Sequence, residues 1–319
     1  MTGGDSNSPI PAALRTVARS ILPYLDEPRV IEIMLNPDGR VWVDRAGEGM
    51  TATDTVLSAS EAEGFLRFVA AESGATLTRE HPTLSGTLPH WHARVQGWMP
   101  PAVARPAFAL RKPSGLIISL DDYVERQVIT GAQRDALTRA VLGRKNVLVG
   151  GGTGSGKTTF ANALLKCIAD NTKDRLYIAE DTPELQCSAP NVLFVHTARG
   201  KYDTRAAVFD ALRGRPDRII VGELRDSTAL ELMKAWNTGH PGGLATIHAN
   251  DTRAMLNRFC QLIEEQVYPA PRDFVADAID VCVHLTLDLE SPAGRRISGL
   301  DAVKGYDARE QRWLLEPLS

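Results

Sequence analysis

The sequence predicts a two-domain α/β protein, in which a smaller N-terminal α/β domain precedes a larger α/β domain with a mostly parallel sheet. Three observations predict it. The chain has 319 residues, and at roughly 150 residues per domain that length suggests about two domains. The first third reads as paired strands with a few helices. From about Ser119 the texture changes to short apolar strands alternating with helices of ten or more residues, the signature of a parallel α/β sheet.

The first ten residues are rich in Gly, Ser, Asn and Asp and read as a flexible tail. Leu14, Val17, Ala18, Ile21, Leu22 and Leu25 then repeat at helical spacing, predicting one amphipathic helix. Val30 to Leu35 and Arg40 to Asp44 flank Asn36-Pro37-Asp38-Gly39, a turn sequence between two β-rich runs, and so predict a hairpin. Ser58 and Glu61 form a capping-box pair opening a helix that carries Phe65, Leu66, Phe68 and Val69. Trp91 to Trp98 alternates like a strand, and the Pro-rich stretch from 100 to 113 reads as a linker able to serve as a hinge. The domain boundary falls near residues 113 to 122, giving an N-terminal domain over 11–115 and a second domain over 116–319.

In the second domain, strands are expected at Asn146 to Gly150, Leu176 to Ala179, Val192 to His196, Arg218 to Gly222 and Leu244 to His248. Helices are expected at Lys157 to Ala169, Thr204 to Arg213, Ser227 to Asn237 and Asp251 to Gln266.

Composition narrows the function classes. Hydrophobic residues make up 43% and charged residues 24%, with 26 Gly and 19 Pro, which argues against disordered, collagenous and disulfide-scaffold classes. Thirty-six Lys and Arg against 39 Asp and Glu leave a net charge of −3, so no global basic field exists to hold a nucleic-acid backbone. Cys167, Cys187, Cys260 and Cys282 are too scattered for a C-x-x-C pair or a structural zinc site, and a reducing cytoplasm fits them best. No run approaches the ~18 apolar residues of a membrane span.

The strongest chemical signal is Gly151-Gly152-Thr153-Gly154-Ser155-Gly156-Lys157-Thr158, followed by Thr159, between the apolar run Val147 to Val149 and an Ala/Leu-rich helix. It matches G-x-x-x-x-G-K-[ST] in its proper context. The glycines let backbone N–H groups turn inward around phosphates, Lys157 supplies a charge to the outer phosphates, and Thr158 offers a hydroxyl to Mg²⁺. Nucleotide is the expected ligand.

Other strand ends should complete the site, because ligands in such sheets gather at the C-terminal edge. Asp217 to Glu223 reads as a buried strand that delivers a carboxylate. Gly222 occupies the place where many P-loop enzymes put a metal-holding Asp, and Glu223 follows it. Glu223 is therefore expected to polarise the attacking water, while the metal relies on Thr158 and one acid among Glu180, Asp181 and Glu184. A Gly-rich loop from Gly239, containing His240, leads to a strand ending in His248, where an imidazole can bond a γ-phosphate.

Taken together these residues resemble the secretion ATPase superfamily, the ring motors of type II and type IV secretion and of type IV pili. GGTGSGKTT resembles its Walker A, EDTPEL its Asp box, RIIVGELRD its atypical Walker B and GHPGGLATIHAND its His box. The eight-residue spacing of His240 and His248 is closest to the type IV secretion branch, and in particular its conjugal transfer members. Arg94 to Pro101 and Phe108 to Pro113 also look like that branch.

The resemblance implies a homohexameric ring, with nucleotide between the N-terminal domain and a RecA-like C-terminal domain. It implies that Arg94 and Arg111 pair with phosphate oxygens, that Arg213 lies near the phosphates and that Glu184 supports Mg²⁺ or its water. It further implies that Glu223 is the catalytic carboxylate and that His248 senses the γ-phosphate. The implied activity is ATP hydrolysis powering pilus assembly or substrate transfer from the cytoplasm, on inner-membrane components of a secretion channel and without direct DNA binding. A RecA-like DNA helicase or translocase and a nucleotide-gated scaffold stand as alternatives. The scarcity of aromatics, 6% of residues, counts against the first, and Glu223 with His248 against the second.

Overall fold

The computed structural model describes residues 12–45, 48–91, 93–112, 117–197, 201–288 and 290–318. The chain forms two compact units, Met1–Gly115 and Leu116–Ser319.

In the first unit, α1 (Ala12–Val17) and α2 (Leu22–Asp26) precede the strands β1 (Val30–Leu35), β2 (Arg40–Arg45) and β3 (Gly49–Val56). Helix α3 (Ala59–Glu72) leads on to β4 (Thr83–Leu88), β5 (Ala93–Trp98) and β6 (Ala107–Arg111). These strands form an antiparallel sheet in the order β3-β2-β1-β6-β5-β4. The hairpin β1–β2 and the Ser58–Glu61 capping box of α3 form as the sequence predicts. Phe65, Leu66 and Val69 of α3 pack on Ile33, Val41, Val43 and Val95 as one core.

Two expectations for this unit are corrected. The helix expected over Leu14 to Leu25 is two short helices, because Pro23 has no N–H to continue a helix from Arg19 and instead opens α2 near its first position. The stretch 100 to 113 is not a linker throughout. Its prolines at 100, 101 and 106 precede β6, which is bonded to β1 on one side and β5 on the other at the middle of the sheet. Along the predicted strand from Trp91, residues Pro89–Trp91 form a 3-10 turn and β5 begins at Ala93. The expected tail and part of the expected boundary, residues 113 to 116, lie outside the described residues.

The second unit opens with α4 (Leu120–Glu125) and α5 (Gly131–Leu142), each started by a capping box, and continues β7 (Val147–Gly151), α6 (Lys157–Asn171), β8 (Leu176–Glu180) and β9 (Val192–His196). Next come α7 (Thr204–Ala211), β10 (Arg218–Leu224), α8 (Thr228–Asn237), β11 (Leu244–Ile247), α9 (Thr252–Glu264) and α10 (Arg272–Ala278). The strands β12 (Val281–Leu287), β13 (Arg295–Asp307) and β14 (Arg312–Pro317) follow. The sheet order is β14-β13-β12-β7-β11-β10-β8-β9; β12 through β9 are parallel, and β13 and β14 add an antiparallel edge.

Both faces of this sheet are buried, which is why its strands read as continuous apolar runs. Val147, Val149, Ile178 and Ile220 pack with Phe160, Leu164 and Leu137 on the α4–α6 face. Leu148, Ala179, Ile219 and Val221 face Leu232, Trp236, Leu256 and Phe259 on the α7–α10 side. Consecutive residues alternate between the two layers. No helix among the described residues is long and apolar enough to cross a membrane.

Candidate active site

Strands β7, β11, β10 and β8 are neighbours in that order, and their C-terminal ends carry the loop after Gly151, His248, Glu223 and Glu180 respectively. Parallel register sets the row: Gly150 pairs with Ile247, Ile247 with Leu224, and Val221 with Ala179. With strands about 4.8 Å apart, the sheet delivers four chemically active stretches side by side.

The loop from Gly152 to Gly156 leaves β7 and becomes α6 at Lys157. Gly154 (φ +75°) and Gly156 (φ +95°) hold left-handed backbone, which glycine enters without steric cost. Gly156 caps α6 without a side-chain acceptor, so the first N–H groups of a fifteen-residue helix face the loop without a capping side chain. Ser155 Oγ is buried and has no hydrogen-bond partner. An orphan donor, an uncapped helix start and left-handed glycines are the features a phosphate group satisfies.

Lys157 is buried, and its ammonium donates to Gly152 O at 3.0 Å and lies 3.4 Å from His248 Nδ1. Burial pulls its pKa below the usual lysine range; the nearby charges of Glu223 and Glu184 partly oppose that, while Arg225 adds to it. Thr158 Oγ1 donates to Glu184 Oε2 at 3.3 Å. Thr159 sits one position further along α6, half-buried.

The three candidate acids have separate roles. Glu180, only 2% exposed, accepts from the backbone N–H groups of Glu184 and Leu185 at 2.9 Å each through Oε2, and its Oε1 lies 3.3 Å from His196 Nε2. Asp181 accepts the hydroxyls of Thr197 at 3.0 Å and Thr204 at 2.7 Å. Glu184 alone of the three meets the Thr158 hydroxyl. Its loop is also gripped from α6 by Asn162, which donates to Glu184 O and accepts from Gln186 N.

Glu223 Oε1 stands 2.7 Å from His248 Nε2, within ion-pair distance but without hydrogen-bond alignment; that oxygen is buried and accepts no hydrogen bond. The other oxygen, Oε2, accepts from Arg225. The side chains of Lys157, His248, Glu223 and Arg225 thus run as a chain across the strand ends. Gly222 explains why no Asp precedes Glu223: a Cβ there would lie 2.8 Å from Glu180 Cβ on the adjoining strand.

Arg213 lies at the other edge of the sheet. Helix α7 begins beside Asp181 through Thr204 and runs back along the sheet, so its far end meets Arg175, whose Nε donates to Gly214 O, just before β8 begins. Arg213 therefore emerges, exposed and over the Phe209 ring, at the opposite edge from the P-loop. His240 likewise precedes β11, at the edge where Arg218 donates to Gly242 O, and is not beside His248. Arg94 and Arg111 are paired in register on β5 and β6, with Glu32 of β1 next in the row and 3.6 Å from Arg111. The two arginines are exposed on one face of the first unit's sheet.

Sequence reading did not single out Asn162, Arg225 or Arg295. Arg295, at the start of β13, lies where a Cβ on Gly156 would come within 2.4 Å of its Nη1. No local motif signals it, because β13 reaches the P-loop only through the sheet.

Comparison with known proteins fits this geometry. A family model described as "Type II/IV secretion system protein" matches residues 93–304. The chain belongs to this family. It is 42% identical over 283 residues to a protein of Rhizobium radiobacter called "Conjugal transfer protein TrbB", covering 88% of this chain and 86% of that one. It is 30% identical over 294 residues to the "Type IV secretion system protein VirB11" of Bartonella henselae, covering 80% and 82%. The X-ray structure of the Legionella pneumophila ATPase DotB aligns over 96% of this chain and 84% of its own, with a TM-score of 0.66 at 16% identity, a likeness of fold. The chain is accordingly a nucleotide-binding ATPase of this family.

Proposed function

We propose that the chain is the ATP hydrolase of a conjugative type IV secretion system, working as a homo-oligomeric, hexameric ring in the cytoplasm and docked on inner-membrane components of the channel. The kinship with a conjugal transfer protein and a type IV secretion protein supports the system. The single observation that carries the hydrolase reading is Glu223 Oε1, a buried carboxylate oxygen that accepts no hydrogen bond, between His248 and the row of strand ends that includes the P-loop.

In this reading the N–H groups of Gly152 to Lys157 and the Lys157 ammonium hold the phosphates of ATP, with Thr158 and Thr159 at the start of the helix. Lys157 leaves Gly152 O and turns to the outer phosphates. Glu223 Oε1 takes a proton from water as the water oxygen bonds to the γ-phosphorus. The bond to the β–γ bridging oxygen breaks, and ADP departs with that electron pair. His248, beside both Lys157 and Glu223, contacts the γ-phosphate.

The chemistry of the donors fits Mg²⁺. Thr158 Oγ1 and Glu184 Oε2 are hard oxygen ligands already adjacent, and among the described residues no group of three or more His, Cys, Asp or Glu forms a self-sufficient metal cage, consistent with an ion held chiefly by substrate phosphates and water. Thr158 and Glu184 would hold it, and when bound it neutralises charge on the phosphates.

Phosphate release from ATP across a protein dilution series tests the ring. Specific activity that falls cooperatively on dilution supports it, and activity strictly proportional to protein at every concentration contradicts it.

A further inference from the structure

The residue after the catalytic strand, Arg225, has no role in the reading above, yet it makes the closest contacts to Glu223. Its Nε donates to Glu223 Oε2 at 2.7 Å, and its Nη2 donates to the same oxygen. Its Nη1 lies 4.0 Å from Asp181 Oδ2 across the neighbouring strand end. The turn carrying it is fixed at both sides. Leu224 is buried in the core, and Asp226 Oδ1 accepts the N–H and hydroxyl of Thr228 at the start of α8.

The two oxygens of Glu223 are consequently unlike. Oε2 is tied by two nitrogens of one guanidinium, whereas Oε1 faces His248 and accepts no hydrogen bond. The terminal torsion of a glutamate is intrinsically broad, so burial alone does not fix the plane of the carboxylate. A planar, fork-shaped donor set does, and a lysine ammonium lacks that shape.

We propose that Arg225 is a positioning residue for hydrolysis: by holding one carboxylate oxygen of Glu223 it fixes the plane of the group and the direction in which the other, free oxygen is presented to water, and through Asp181 it ties this orientation to the loop that carries Glu184. The proposal rests on the reading of Glu223 as the carboxylate that accepts the proton from water. Arg225 itself touches neither water nor phosphate in this scheme. Its loss therefore slows the chemical step and leaves nucleotide binding intact.

The test compares Arg225→Met and Arg225→Lys in the full chain, alone and combined with Glu223→Gln, by steady-state and single-turnover phosphate release, with the melting temperature as a folding check. Arg225→Met should lower kcat about 10- to 100-fold, the cost of a misplaced reacting group, with KM for ATP within about twofold because the ground-state contacts are kept. Arg225→Lys should recover part of that loss. In the Glu223→Gln background, Arg225→Met should cause no further loss, since both act through one group.

A wild-type kcat in Arg225→Met, a rise in KM with kcat kept, or an equal loss in both backgrounds would each overturn the proposal. The first of these, alongside a Glu223→Gln variant that has lost hydrolysis, overturns the role of Arg225 alone. Glu223→Gln with wild-type hydrolysis overturns the reading of Glu223 as well.

Discussion

Replacing Glu180 by alanine separates structural from metal-binding acids in the second unit. The carboxylate is 2% exposed and receives two backbone N–H groups, Glu184 and Leu185, both at 2.9 Å. Alanine leaves both donors without their acceptor, and Leu185 is itself buried. Each orphaned donor costs about 1–3 kcal/mol, so the pair amounts to roughly 4 kcal/mol. For a unit of roughly 200 residues, at about 2–4 °C per kcal/mol, the melting temperature should fall by about 8–16 °C. The assay is thermal unfolding followed by circular dichroism, paired with phosphate release at a temperature where the variant is folded. Because Glu180 anchors the loop and does not face Thr158, saturating Mg²⁺ should not restore stability. A variant that melts within about 2 °C of wild type, a shift worth only ~1 kcal/mol, while losing its Mg²⁺ response would refute this reasoning and make Glu180 a metal ligand.

Glu184→Gln should do the reverse, leaving the melting temperature near wild type and raising the Mg²⁺ concentration for half-maximal phosphate release about 10-fold or more; an unchanged Mg²⁺ titration would remove Glu184 from the metal site. Asp174 gives a pH-dependent stability. Burial pushes its carboxyl up, but the hydrogen bond and charge of Arg218, with Arg144, outweigh burial and hold it below the usual value. Arg218 is 1% exposed, so Asp174→Asn should destabilise by about 3–5 kcal/mol at neutral pH by leaving that guanidinium buried without its counter-ion. A depressed folded pKa gives a contribution fully present above the unfolded value of about 3.9 and lost as pH falls through the folded value. Urea unfolding should therefore show a constant gap between wild type and variant from pH 7 to about 5 that narrows only in stronger acid. A gap that widens on acidification would contradict the assignment.

The features legible in the sequence are those whose physics is local. The hairpin at Asn36 to Gly39, the capping box at Ser58 and the strand–loop–helix of the phosphate site each depend on residues a few positions apart, and each forms as read. Glu223 and His248 were legible as strand-end residues; that both lie on one edge beside the P-loop follows from parallel topology. The edge at which Arg213 stands was not legible, because distance along the chain does not tell which edge of a sheet a helix returns to. Strand β6 was hidden by the prolines before it, although its own five residues carry the buried, strand-forming pattern.

Glu180, Asp181 and Glu184 could not be told apart by sequence, because their separation depends on Thr158, Thr197, Thr204 and two backbone N–H groups from other segments. The exclusion of Asp from position 222 depends in the same way on Glu180 across the sheet. Arg225 was inside a recognised motif, but a charge after a strand reads as solvated until its partner oxygen is seen.

The most direct test of the account is ATP binding and phosphate release measured on one preparation of Glu223→Gln beside wild type. The variant should bind ATP with wild-type affinity, since the loop and Lys157 are intact, and hydrolyse it about 100-fold or more slowly, as for loss of a general base. Phosphate release at the wild-type rate, with binding equally intact, would contradict the claim that Glu223 is the carboxylate that drives hydrolysis.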